Sequence, residues 1–216
     1  MKVWLWVVAA SALALTALAV GVTVAQSADT AVASAPKPRT TPAPWPAPPD
    51  PLIRARQAGL TPERKETLIY HVHAHLDVFV NRKVIRVPAG IGINIADPGV
   101  RRFKEPNGSV AYGGIELCAK PCISPLHTHD NTGVIHTETR TPRPNRLSQF
   151  FTEWGVRLSR ACVGGYCNPT PIRWYVNGKR FSGNPRDILL TDKKEIALVI
   201  GTPPTKIPAS YDFSNA

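Results

Sequence analysis

The stretch YHVHAHLDVFVN, from Tyr70 to Asn81, alternates without a break: Val72, Ala74, Leu76, Val78 and Val80 at the even positions, His71, His73, His75, Asp77 and Phe79 at the odd ones. A period of two marks a half-buried β-strand, because successive side chains point to opposite faces. The even face is core. The odd face gathers three imidazoles, so the fold has to contain a sheet with one apolar side and one histidine-bearing side.

All six histidines of the chain fall in two windows, 71–75 and 127–136. The second window, CISPLHTHDNTGVIHTE, holds His127, His129 and Asp130, then His136 on an alternating strand with Val134 and Glu138. Same-face neighbours on a strand lie about 6.5 to 7 Å apart at Cα, close enough for two rings to converge on one ion. Three in a row span about 13 Å, too far for a single ion. Neutral imidazole suits zinc, copper, iron and nickel. The expected site is therefore mononuclear, combining His73 and His75 with His127 and His129. His71, His136, Asp130 or Cys122 would then serve as added ligands or outer partners. Two neighbouring ions bridged across the strands are the alternative. In the plain structural reading these rings only hydrogen-bond carbonyls and carboxylates; confinement to two H-x-H motifs favours a metal. Copper leads zinc because it tops the divalent affinity order at nitrogen sites.

Around these windows the chain reads as mainly β: a β-sandwich or small barrel with one packed helix. Asn81-Arg82 and Asn177-Gly178 each mark a hairpin turn, and both hairpins share a VN-x-K pattern that reads as a faint internal repeat. EIALVIG is a late, fully apolar strand. PLIRARQAG predicts a short helix ending near Gly59. Leu147, Phe150, Phe151, Trp154 and Leu158 follow helical spacing, predicting a buried helix over 146–158 capped by Asn145. Residues 94–125 read as loop.

The domain, placed at 53–216, follows two extensions. Residues 1–28 carry one charge, Lys2, and an apolar run long enough for an uncut membrane anchor, favoured here over a cleaved signal peptide. Residues 29–52 contain a stretch in which eight of the 22 prolines fall within sixteen residues, and read as an extended polyproline-like tether. Both extensions place the domain outside the cytoplasm, anchored to the membrane or, alternatively, secreted. Four exported cysteines then imply two disulfides, preferably Cys118 with Cys122 and Cys162 with Cys167. The exception left open is a Cys122 thiolate as metal ligand. A net charge of +11, scattered rather than interleaved with aromatics, fits anionic lipid or wall polymers as partners better than nucleic acid.

YHVHAHLDVFVN with VPAGIGI, PLHTHDNTGVIHTE, QFFTEWGVRL and the closing VNGK and EIALVIG resemble a family of secreted or membrane-anchored actinobacterial proteins, with similar sequences in ammonia-oxidising archaea. The likeness covers roughly residues 55–201, the histidine motifs being its most specific part. It implies export and the two histidine windows, and brings no reaction with it. No dinucleotide fingerprint, nucleophile elbow, H-E-x-x-H or Walker loop is present in the sequence. The leading expectation is an envelope module that binds a transition metal, copper, with zinc as alternative. The second is a copper or zinc enzyme in which Asp77, Asp130 or Glu138 handles protons. The third is a structural envelope domain with a histidine-rich core.

Overall fold

The computed structural model describes Met1, residues 36–105 and residues 107–214. The apolar segment expected as anchor or signal lies, beyond Met1, outside them. Among the described residues no helix is long and apolar enough to cross a membrane.

The histidine strand is β1, Tyr70–Val80, and the sheet is assembled around it. Asn81 and Arg82 both take positive φ, 48° and 70°, and turn the chain into β2, Lys83–Ile85. Left-handed backbone at both central positions matches the right-handed twist of the flanking strands. On the first half of β1 lies the antiparallel β6, Val134–Thr139, and beyond it the short β5, Leu126–His127. On the other side β11, Lys194–Ile200, runs parallel to β1 from Ala74 to Val80. β9, Ile172–Val176, and β10, Lys179–Phe181, complete the order β10-β9-β11-β1-β6-β5, with β2 also on β1. The architecture is mainly β with a mixed sheet. That sheet stays open, so the sandwich-like layering is found and the barrel is not.

The even positions of β1 meet Ile135 of β6 and Ile196, Leu198 and Ile200 of β11 in the main core. Against this face packs α2, Leu147–Trp154, through Leu147, Phe150, Phe151 and Trp154, all fully buried. The helix is shorter than the apolar spacing predicts. Gly155, at φ 68°, ends it in a left-handed cap, and Val156 then runs extended beside Arg39. A side chain at Gly155 would collide with the Arg54 guanidinium, and the left-handed conformation itself favours glycine. Leu158 is buried from that extended segment, so its helical spacing was coincidental. The cap is Arg146, one residue later than predicted, with its N–H donating to the Gln149 side chain at 2.9 Å. The first helix, α1, is Pro51–Gln57, as the sequence suggests.

The proline-rich segment is not a free tether over its second half. Residues from Pro36 onward belong to the same compact unit as the sheet, so the domain begins before residue 53. Arg39 exchanges backbone hydrogen bonds with Gly155 and Arg157, and Trp45 is only 1% exposed. Its ring meets Trp154 edge-on at 5.5 Å, while its carbonyl accepts the Trp154 indole N–H at 3.1 Å. A proline-rich backbone has few N–H groups to leave unpaired, so it can lie on an apolar surface at little cost.

Both disulfides form as expected, Cys118–Cys122 and Cys162–Cys167. The second joins β7, Cys162–Val163, to β8, Tyr166–Cys167, and Cys122 is thereby removed as a thiolate ligand. The stretch read as loop contains a further hairpin, β3, Arg101–Lys104, with β4, Val110–Gly113.

Candidate metal centre

Strand register brings the two histidine windows together. His127 of β5 lies opposite His136 of β6, and His136 lies opposite His73 of β1, giving a row of three imidazoles across three strands. His71 faces Glu138 in the next same-face row. His129, two residues past β5, is held from the side: its backbone carbonyl accepts the Tyr112 N–H and its ring donates to the Tyr112 carbonyl. The β3–β4 hairpin, hidden in the supposed loop, thus positions a candidate ligand.

His75 goes elsewhere, although it shares a face with His73. Its Nδ1–H donates to Glu195 of β11 at 2.8 Å and its Nε2–H to the Thr132 carbonyl at 2.9 Å, while Tyr211 stacks on the ring at 3.8 Å. Burial alone would lower its pKa, but the Glu195 carboxylate outweighs it and holds His75 above the usual histidine value. An imidazole donating from both nitrogens has no lone pair for an ion. The expected convergence of His73 with His75 is therefore not found, and His73 Nε2 instead lies 2.8 Å from His71 Nε2. Asp77 sits beside His75 at 3.9 Å, and Asp130 caps its own loop by accepting the Thr132 N–H at 2.8 Å. Neither joins the cluster of five.

The donor atoms could hold a metal ion in two overlapping groups, His127, His129, His136 with Glu138, and His71, His73 with His136; His75, Asp77 and Glu195 are equally close together, but there His75 donates to Glu195. The first two carry a clear electrostatic mark. His127 donates Nδ1–H to the Ser124 carbonyl at 2.9 Å and His129 donates Nδ1–H to the Tyr112 carbonyl at 2.5 Å. An imidazole with a single N–H, already committed at Nδ1, offers a lone pair at Nε2, and the two Nε2 atoms lie 3.2 Å apart. Such lone pairs repel unless a cation or proton lies between them. Around a tetrahedral ion with ligands at 2.0–2.1 Å, neighbouring nitrogens are about 3.3 Å apart. The second group is equally telling: His71 Nε2, His73 Nε2 and His136 Nδ1 form a triangle with sides of 2.8, 3.1 and 3.4 Å. Each corner is a donor or an acceptor, so at least one side joins two of a kind.

Burial lowers the pKa of His71, His73 and His136, and takes the fully buried His127 well below the ordinary value. Neighbouring rings add to this, His129 on His127 and His127 on His136. All four are neutral near pH 7, with lone pairs free. Burial, reinforced by Glu66, pushes Glu138 up to about 8, and its Oε2 is buried with no hydrogen-bond partner. A neighbouring cation would favour its ionised form. The cluster is sealed on one side only: His127 is fully buried, whereas the His71 side chain is 32% exposed. No family model, curated protein or solved structure matches this chain.

Behind the cluster, α2 sends the fully buried Glu153 to the Ser124 hydroxyl, and Ser124 is the residue whose carbonyl fixes the His127 tautomer. Helical patterning marks Glu153 only as a polar position, so sequence reasoning missed it. Burial raises its pKa well above 4.5. The folded state therefore keeps a proton that the unfolded chain releases, and the resulting stability is complete below about 4.5 and lost as pH rises toward the folded value. Glu153→Gln, which cannot ionise, is expected to match the wild type at pH 4 and exceed it progressively above pH 5, by up to about 1.4 kcal/mol per pH unit. Urea unfolding at several pH values measures this; parallel curves would show that Glu153 ionises freely in the fold.

Proposed function

We propose that this chain is an extracytoplasmic module of the cell envelope that binds a transition-metal ion, copper in preference to zinc, through the histidine face of its sheet. The observation that carries the reading is the pair of Nε2 lone pairs on His127 and His129, aimed at each other while both Nδ1 atoms are committed to backbone carbonyls. A purely structural histidine core would have no reason to set acceptor against acceptor. Nitrogen donors without thiolate, the cysteines being in disulfides, suit Cu(II) by the divalent affinity order. The exposed His71 edge supports a site that loads and unloads, as holding or passing on an ion requires.

Export is supported by the two disulfides, which persist in oxidising compartments, by the apolar leader and by the resemblance to exported actinobacterial proteins. Membrane attachment through the leader and attraction of the basic domain to anionic envelope polymers belong to the same proposal. One observation favours a second reading, a metal-dependent enzyme: Glu138, at about 8, is poised to exchange a proton beside the cluster.

Elemental analysis of the full chain after exposure to equal copper and zinc, with copper EPR, tests the proposal. Retained copper with nitrogen hyperfine structure is expected, and its loss in His127→Ala/His129→Ala/His136→Ala. Binding of neither metal at micromolar concentration would leave the imidazoles structural and end both readings.

A further inference from the structure

Resting on the reading that the histidine face binds a transition metal, we propose that the centre holds two ions of unequal kind: an inner, firmly held ion at His127 and His129, and an outer, exchangeable ion at His71 and His73. His136 and Glu138 stand between them.

Five imidazoles and a carboxylate exceed what one four-coordinate ion takes. They also do not converge on one point, since the mutually close donor atoms separate into two groups with His136 in common. His127 Nε2 and His129 Nε2 converge at 3.2 Å, and His71 Nε2 and His73 Nε2 at 2.8 Å. Glu138 lies where the two meet. Its Oε1 is 3.3 Å from His71 Nε2 and 3.7 Å from both His127 Nε2 and His136 Nδ1, too far for a good hydrogen bond to any of them. Its Oε2 is buried and without a hydrogen-bond partner. A buried carboxylate that lies near nitrogens of both groups, approached by the Thr67 backbone N–H yet hydrogen-bonded by none of those nitrogens, is placed as a bridge. Two-metal sites with ions about 3.5–4 Å apart use side chains in this way.

The inequality follows from what lies behind each pair. Backbone carbonyls lock the tautomers of His127 and His129, and His127 has no solvent exposure. Among the described residues neither His71 nor His73 has its Nδ1 in a hydrogen bond, and the His71 side chain reaches solvent. Loss of such an outer partner typically weakens a metal ligand 10–100-fold. Two cations this close are tolerable only with an anion between them, and Glu138 supplies it.

The test is a copper titration of the metal-free full chain, followed by calorimetry, elemental analysis and EPR. Two coppers per chain are expected, in steps roughly 10–100-fold apart in affinity. At two equivalents the EPR signal should be broadened or diminished by coupling between neighbouring Cu(II) ions. His71→Ala/His73→Ala, at the exposed edge, should lose the weaker step, keep the tighter one and give an uncoupled single-copper spectrum. His127→Ala/His129→Ala should lose the tighter step; if it fails to fold, the wild-type stoichiometry and the edge variant still decide. A single copper in the wild type, or two coppers without coupling, overturns the two-ion centre and leaves the metal-binding reading intact. Binding of neither copper nor, in a parallel titration, zinc ends both.

Discussion

Replacing Trp45 with alanine is expected to lower the free energy of unfolding by about 3–5 kcal/mol, the range for deleting a large aromatic from a packed interior. Composition alone would place this residue in a solvated spacer, where the same change would be near neutral. In the structure the indole fills the space between Trp154 and Tyr166, its N–H donates to the Thr41 carbonyl at 2.9 Å, and Gly164 lies directly against its ring. Truncation leaves a cavity beside Trp154 that the sheet and α2 cannot both close. Against a total stability of about 5–15 kcal/mol for an ordinary domain, the loss is severe. A chain begun at residue 53 should fare worse and fail to fold. Urea titrations of Trp45→Ala and of the shortened chain provide the measurement; a change below about 1 kcal/mol for the alanine variant would mean that the segment merely rests on the surface.

Saturating copper is expected to stabilise the fold by about 2.7 kcal/mol at a hundredfold excess over the dissociation constant and about 4.1 kcal/mol at a thousandfold excess. The gain arises because β1, β5 and β6 bring His73, His136 and His127 into one row only when the sheet is formed. An unfolded chain offers the same residues scattered over the two windows and binds more weakly. A chelator should reverse the gain, and His127→Ala/His129→Ala should greatly reduce it. His75→Ala is the informative control. It should lower stability by breaking the Glu195 pair, yet leave the copper increment unchanged, because His75 has both nitrogens occupied. A copper increment lost with His75 would return that residue to the ligand set.

Much of this was legible in the chain because two signals are local. Alternation fixes which face a side chain takes, so the core face of β1 and its histidine-bearing opposite face follow from period two. Turn chemistry at Asn81-Arg82 and Asn177-Gly178 fixes the hairpins, and short cysteine spacings suit local disulfides. What was not legible depends on which strand lies beside which. Parity puts His73 and His75 on one face, but only the neighbouring strand separates them: β6 offers His136 to the first, β11 offers Glu195 to the second. Glu138 could be suspected from its place on an alternating strand. Glu153 could not, since nothing in a helical pattern reports that its polar side is buried. The proline-rich segment is the plainest case, because an extended chain has one composition whether it lies on a surface or in water. The β3–β4 hairpin did have a signal, Asn107-Gly108, set between short strands that carry little apolar weight.

The parallel pairing of β1 with β11 also bears on how the molecule comes into being. His75 and Glu195, side by side in the sheet, are 120 residues apart in the chain. A polypeptide delivered from its N-terminus therefore exposes the histidine strand with one long edge bare until Lys194–Ile200 has emerged. Bare edges recruit other strands, and pairings this distant form slowly because the loop must close before the contact rewards it. A nascent chain could gather its histidines from β1, β5 and β6 while still lacking the strand that closes the sheet's centre. Completion of the sheet thus waits for Lys194–Ile200, and a stop before Lys194 would release a molecule whose histidine rows have no finished sheet to carry them.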